Sequence, residues 1–541
     1  MKINHTISEK TEFFLIHKLG WWILLVSVLF TASIRLGLLE IPLERDEGEY
    51  AYAGQLILQG VAPYQEVYNM KLPGIYMAYA SIMAMFGQTP EGIHLGLLFI
   101  NSLTIIFLFL LIRYLTDSFT ASVSSAFFAV LTLGYSVHGI IAHAEHFVIL
   151  AAVTGLFLLV NALDKNRSSF LFLSGVCLGI GFLMKQHGAS FLALGGIYVL
   201  IFNSNKIPLK VINMINSLVI FVSGVILPYG ITCIIFLELG IFDKFWFWTV
   251  VYAKAYISQV SLNDAWLLFS RHGLKVISVS PFIWILSIWG FIALLTDKQF
   301  KNHYKFVILF IIFSFFAVCP GFSFRAHYFI YILPAAALLA SLAIRSMINF
   351  LSKFYPLSFA PALFLVITCV ILSLWQQRDV LFNMNPIQIS RFMYAVNPFP
   401  ESLEIANFIR TMSKENDKIA IMGSEPQIYF YAQRHSATGY IYMYPLMENH
   451  KFALQMQKEM IKEIEAAKPE FLVLVNIYYS WLGSAKSHPF LSEWLESYQH
   501  QYFMVGLISI NLNKTSYSWF PDIKRPPDSP HWVAVLKRKK E

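Results

Sequence analysis

Long apolar runs recur along most of this chain, and they decide its class before any motif is considered. Candidate runs cover about 21–39, 91–112, 119–138, 146–163, 169–185, 188–204, 211–237, 276–296, 305–320, 328–345 and 357–376. About 18 or more apolar residues in a row suit a helix that crosses the bilayer core, where every backbone N–H and C=O must be satisfied within the segment. Only 13% of the 541 residues are charged, against 57% hydrophobic. The runs predict a polytopic α-helical membrane protein of about eleven spans over 1–376. Beyond about Gln377 they cease, and 377–541 predicts a separate α/β domain.

The basic residues orient this bundle. Arg113, Lys165, Arg167, Lys206, Lys210, Lys298, Lys301, Lys305, Arg345 and Lys353 fall in short loops on the same side as the N-terminus, which carries Lys2, Lys10 and Lys18 ahead of Trp21-Trp22. The positive-inside bias makes that side cytoplasmic and accounts for the net charge of +8 without nucleic acid. No small-residue cleavage site follows the first run, which reads as an uncleaved signal anchor. Eleven spans then place the C-terminal domain outside the plasma (inner) membrane. Cys177, Cys233, Cys319 and Cys369 all lie in apolar runs and read as small buried hydrophobes, so no disulfide framework is expected in the tail.

The tail is read as α/β from its periodicity. A helix is expected over Pro400–Lys414, a strand over Lys418–Met422 ending at Gly423, and an amphipathic helix over His450–Ala467 stopped by Lys468-Pro469. Strands follow at Phe471–Val475, Tyr502–Ile510 and Trp532–Leu536. On the outer side of the bundle, the 40–90 loop is expected to hold a helix over Glu49–Leu58 and a short interfacial helix over Tyr76–Phe86. Leu239–Lys275 is expected to be a longer outer connection.

Candidate chemistry gathers at outer span ends. Asp46-Glu47 sit just past the first run, where a carboxylate is costly to desolvate and so has a task. Successive helical residues point about 100° apart, so one of the pair faces a cavity while the other caps the helix or pairs with a cation. Arg45 and Glu49, four apart, suit a local ion pair. A carboxylate here can serve as general base toward an acceptor hydroxyl or amine. Lys71, Lys185, His187, Lys254, Arg271, Lys275, Arg325 and His327 are cations where the charge rule disfavours them. A bound anion such as a lipid-linked phosphate is one cause, and a solvated rim is the other; the rim suits Lys254, Arg271 and Lys275 better. Arg35, inside the first run, is expected to snorkel outward.

Four further stretches draw notice. His143-Ala144-Glu145-His146, with Asp46 or Glu47, could supply divalent-metal ligands, yet the spacing fits no zinc-protease pattern, and acceptor binding by Glu145 is the preferred reading. Lys71-Leu72-Pro73-Gly74 forms a stiff turn that presents a point-charge phosphate ligand. Gly423-Ser424-Glu425-Pro426 could bind a ligand at a helix start, although no GxGxxG or Walker loop is present. The run Tyr440-Ile441-Tyr442-Met443-Tyr444 suits carbohydrate stacking or a strand packed on the bundle, and both readings stand.

At these residues the chain resembles bacterial GT-C membrane glycosyltransferases, relatives of protein O-mannosyltransferases and lipid A aminoarabinose transferases. The resemblance rests on Asp46-Glu47-x-x-Tyr50-Ala51, Gly60-x-x-Pro63-Tyr64 and Lys71-Leu72-Pro73-Gly74, continues through Glu145, Lys185-Gln186, His327-Tyr328 and Pro334, and extends to Gly423–Pro426 and Tyr440–Tyr442. It implies an inverting hexosyl- or pentosyltransferase that takes a sugar from a polyprenyl-phosphate donor at the outer face and passes it to an envelope lipid, glycan or protein. Carried over by position, Asp46 is the catalytic base and Glu47 its companion. Lys71 binds the donor phosphate, with Lys185, Arg325, His327 and Tyr328 around it, and His143, Glu145 and Tyr50 serve the acceptor or sugar. No metal or other cofactor is implied. One departure is Leu-Pro after Lys71, where many relatives have two prolines. A transporter or flippase of lipid-linked sugars is the alternative; binding groups at span midpoints would favour it, whereas ionisable residues here gather at span ends.

Overall fold

The computed structural model of the protein describes residues 2–204, 210–257, 260–297, 303–354, 359–483 and 487–540. Lys206, Lys298 and Lys301, read above as loop cations, lie outside them. By its internal contacts the chain forms two compact units. One comprises Met1–Leu38, His94–Ile235 and Ile257–Asn383, and the other Leu39–Ile93, Phe236–Tyr256 and Met384–Glu541.

The first unit is helical. Lys18–Leu36, Pro90–Leu115, Ala144–Lys165, Ile212–Glu238, Ala326–Leu351 and Phe359–Gln376 are long and apolar enough to span a membrane by length and composition. Leu262–Val279 and Pro281–Thr296 add a seventh if the pair, bent by 103°, forms one broken span. The runs expected at 119–138, 169–185, 188–204 and 305–320 appear as the shorter apolar helices Ser118–Leu131, Ser168–Met184, Gln186–Phe202 and Tyr304–Phe316. Asp117 caps the first of these, accepting from the backbone N–H groups of Phe119 and Thr120 at 2.9 and 3.0 Å, which fixes where that helix begins.

Two expectations about the helical segments are corrected. Arg35 does not snorkel: it is buried, and its Nη2 donates to the carbonyls of Thr132 and Gly139 at 3.0 Å each. Those carbonyls lie where the chain leaves regular helix, so the guanidinium satisfies acceptors that a helix would have paired itself. The connection expected over Leu239–Lys275 is not an open loop but largely helical, ending in Leu262–Val279. Close backbone approach packs the bundle elsewhere. A Cβ on Gly290 would sit 1.7 Å from the Leu339 carbonyl oxygen, so only glycine admits the Leu333–Leu351 helix there.

In the second unit a five-stranded sheet runs β1 (Ile419–Met422), β2 (Phe471–Asn476), β5 (Trp532–Arg538), β3 (Tyr502–Ile510), β4 (Thr515–Trp519). β1 and β2 are parallel, with Ile419 beside Phe471, and the other pairings are antiparallel. The β1-to-β2 crossover carries the amphipathic helix Ala453–Ala467, stopped by Lys468 in the left-handed conformation before Pro469. The expected strands are present, and β4 is an addition. Tyr440–Met443 is not a strand.

The helix expected over Glu49–Leu58 runs from Arg45 to Leu58, and the one expected over Tyr76–Phe86 begins at Pro73. Both belong to this unit and pack on each other. Arg45–Leu58 also packs on Pro426–Ala432: Tyr52 stacks on Tyr429 at 5.2 Å, and its hydroxyl accepts from the Ser436 N–H at 2.8 Å. Gly48 permits the approach, since a Cβ there would lie 2.6 Å from the Gln427 nitrogen.

Candidate active site

The first residues of Arg45–Leu58 build the site in the second unit. Glu44 is the N-cap: its carboxylate accepts from the Glu47 N–H at 3.0 Å, and Glu47 reaches back to the Glu44 N–H at 3.3 Å. This capping box buries Glu47 and leaves Asp46 as the member of the pair that turns toward Lys71. Burial pushes the Glu44 carboxyl up to about 8, and the neighbouring Asp46 and Glu47 carboxylates add to that shift. Arg45 does not pair with Glu49. Its Nη2 meets Glu425 Oε1 at 2.9 Å, its Nε donates to the Ser424 carbonyl, and Glu49 belongs to a different group.

That group is an ion triad, fully buried at Glu49 and partly exposed at Lys71 and Asp46. Lys71 Nζ lies 2.6 Å from Asp46 Oδ1 and 2.9 Å from Glu49 Oε2. Tyr76 donates to the other Glu49 oxygen at 2.5 Å, and the Tyr442 hydroxyl meets Asp46 Oδ1 at 3.3 Å. The ammonium also sits 4.5 Å over the Tyr50 ring and 5.8 Å over the Tyr442 ring. Its turn is fixed as expected: Leu72 is extended, Pro73 opens the next helix, and the Tyr64 hydroxyl donates to the Lys71 carbonyl at 2.7 Å. Burial works against the Lys71 charge, but the Asp46 and Glu49 carboxylates outweigh it and hold the ammonium above the ordinary lysine value. Burial raises the Glu49 carboxyl, opposed by Lys71 and Tyr76.

A second cluster belongs to the first unit. Glu145 opens Ala144–Lys165, and Lys185, extended between two helical segments, places Nζ 2.5 Å from Glu145 Oε1 and 4.6 Å over the Tyr328 ring. His327 Nε2 stands 3.9 Å from the same Glu145 oxygen, and the His143 and His327 rings stack at 4.2 Å. Arg325 is the half-buried residue ahead of the Ala326–Ile332 turn. His187 is anchored on the Ala317 carbonyl at 2.7 Å and packs on Tyr328 and Tyr331. His138, His143 and His327 each bring a ring nitrogen within 4.8 Å of the others, a grouping able to hold a metal ion that does not include His146.

Comparison with known proteins places this architecture. Residues 71–229 match the family model described as dolichyl-phosphate-mannose-protein mannosyltransferase. The chain is similar to the crystal structure of ArnT from Cupriavidus metallidurans bound to undecaprenyl phosphate, at 13% identity and a TM-score of 0.57 over 96% of this chain and 98% of that one. It is also similar to the Archaeoglobus fulgidus oligosaccharyltransferase in complex with Zn and sulfate, at 12% identity and a TM-score of 0.52 over 92% of this chain and 73% of that one. The fold is that of the GT-C glycosyltransferases. No curated protein matches the chain.

The residues expected from sequence fall into the two units. Asp46, Glu47, Tyr50 and Lys71 lie in one, and His143, Glu145, Lys185, Arg325, His327 and Tyr328 in the other. Lys71 and Asp46 meet directly, as do Lys185 and Glu145. Glu49 and Tyr442 were not assigned to the site from sequence. For Glu49 a signal existed, since positions 46 and 49 are three apart and share a helix face. Tyr442 is 396 residues from its partner, and no local pattern reports such a pairing. The Gly423–Pro426 turn is structural: Ser424 and Glu425 are fully buried and bonded to Ser480.

Proposed function

We propose that this protein is an inverting glycosyltransferase that moves a sugar from a polyprenyl-phosphate donor to a cell-envelope acceptor at the outer face of the membrane. The observation that carries this reading is the Asp46–Lys71 contact, a carboxylate and an ammonium 2.6 Å apart at the start of a helix. In the reaction, the acceptor oxygen attacks the anomeric carbon while the bond from that carbon to the phosphate oxygen breaks. The acceptor proton passes to Asp46, and polyprenyl phosphate departs with its extra negative charge. An ammonium has three N–H donors, so Lys71 has one beyond those given to Asp46 and Glu49 to stabilise the leaving phosphate. Glu47 supports this chemistry by holding the helix start that aims Asp46.

In the first unit, Lys185, Arg325, His327 and Tyr328 are proposed to bind the donor, and Glu145 and His143 the sugar or acceptor. Cations and hydroxyl-bearing rings suit a lipid-linked sugar phosphate, which also explains a site at the membrane surface.

The test uses the full chain in lipid nanodiscs with radiolabelled polyprenyl-phosphate sugar and extracted envelope acceptors. Asp46→Asn, which keeps shape but removes the base, is expected to slow transfer by about 10²–10⁴-fold, the usual contribution of a general base. Transfer by Asp46→Asn at the parent rate would overturn the assignment.

A further inference from the structure

A continuous set of tyrosines leads away from Asp46 within the second unit. Tyr442, whose hydroxyl meets Asp46, packs its ring 5.4 Å from that of Tyr444. Tyr444, half-buried, donates to the Tyr479 carbonyl at 2.7 Å, and Tyr479 contacts Tyr478 edge-on at 5.6 Å. Tyr478 and Tyr479 are 66% and 54% exposed, neighbouring rings that together offer an open aromatic face. We infer that Tyr444, Tyr478 and Tyr479 form a platform that binds a carbohydrate acceptor and delivers its hydroxyl toward Asp46. This rests on the transferase reading of Asp46.

The platform is anchored, not floppy. Tyr478–Trp481 is a single turn whose Ser480 is fully buried. Its hydroxyl donates to Glu425 Oε2 at 2.7 Å and accepts from the Ser424 N–H at 2.8 Å, and its carbonyl accepts from the Ser424 hydroxyl at 2.5 Å. Glu425 in turn holds Arg45, the residue beside Asp46, and the Arg45 guanidinium lies 5.7 Å over the Tyr444 ring. The exposed rings and the base are thus tied to one buried hydrogen-bond network.

Tyrosine suits this task on chemical grounds. Each ring face accepts the C–H face of a pyranose, each hydroxyl can exchange hydrogen bonds with sugar hydroxyls, and two χ angles cost little entropy to hold. An interfacial belt against lipid headgroups also uses tyrosine, but it needs no connection to Asp46 and no buried anchor. That connection favours the carbohydrate.

The experiment measures binding without donor, using the full chain in nanodiscs. Cellohexaose, chitohexaose, maltohexaose and an α-1,6-linked mannohexaose are titrated and followed by saturation-transfer NMR. At least one is expected to bind saturably, and Tyr478→Ala/Tyr479→Ala to weaken it by about tenfold, the scale of two aromatic contacts. Tyr478→Phe/Tyr479→Phe, which keeps the rings, should retain most of the affinity and guards against loss through misfolding. Binding by none of the four, or equal binding by the parent and the alanine variant, overturns the platform. So does a variant that loses only its attachment to lipid, which would assign the rings to headgroups. If an oligosaccharide binds through these rings while Asp46→Asn still transfers sugar, the catalytic reading fails and the binding site stands.

Discussion

Lys71 answers to two carboxylates at once, and that changes what its removal should do. Taken alone as a phosphate ligand, it would be dispensable to folding. The structure instead places it between Asp46 and a fully buried Glu49, with side-chain exposures of 18%, 16% and 0%. Breaking a buried pair strands the remaining charge, at a typical cost of about 3–5 kcal/mol; partial exposure puts the expected loss for Lys71→Met near the lower end, about 3 kcal/mol. We therefore expect Lys71→Met both to lose donor affinity and to lower the thermal midpoint of the purified protein. A variant that loses donor binding with an unchanged midpoint would show that the triad contributes no stability. Asp46, Glu47 and Lys71 were legible in the sequence because each stands out against an apolar background. Glu49 was hidden by a plausible local partner, Arg45, whose real partner is Glu425, 380 positions away.

At the scale of elements, the start of Arg45–Leu58 carries a pH dependence. The Glu44 carboxyl sits at about 8 in the folded protein, above its ordinary value near 4.5, chiefly through burial. The folded state therefore holds that proton more tightly than the unfolded chain does. Its contribution is fully present below the ordinary value and is lost as pH rises through about 8. As pH rises from 5 to 9, the parent's melting midpoint is expected to fall relative to that of Glu44→Gln, which keeps the capping oxygen. A difference between the two that does not change with pH would contradict the assignment. Element boundaries were otherwise largely readable from period and stop signals: β3 runs over the expected Tyr502–Ile510. β4 was missed although Thr515, Tyr517 and Trp519 alternate with Ser516 and Ser518, because it is a short, polar edge strand with few aliphatic residues, placed by its pairing with β3.

For the molecule as a whole, linear segmentation is the wrong guide to what packs with what. The sequence divides naturally near residue 377, where the apolar runs cease, yet Leu39–Ile93 and Phe236–Tyr256 share a compact unit with Met384–Glu541. The joins are contacts that no window of sequence can report: Tyr52 with Ser436, Lys244 with Tyr68, Tyr252 with Glu448. Gly48 sits at another close approach of this kind, against Gln427 backbone. Gly48→Ala forces the Arg45–Leu58 helix away from Pro426–Ala432, and we expect a destabilisation of about 1–3 kcal/mol, typical of overpacking, together with reduced transfer. Hydrogen exchange should show both helices opening more readily; unchanged protection in Pro426–Ala432 would count against the packing described.

The shared lysine has a last implication, for timing. A base held 2.6 Å from an ammonium is quenched by its own neighbour. On the proposed reaction, a donor phosphate that engages the third N–H of Lys71 shares the ammonium's charge with Asp46 and Glu49, and Asp46 takes up a proton more readily as a result. The arrival of one substrate would then arm the group that activates the other. Such a site idles until it is loaded: with no donor in place, Asp46 has little power to deprotonate a hydroxyl beside it.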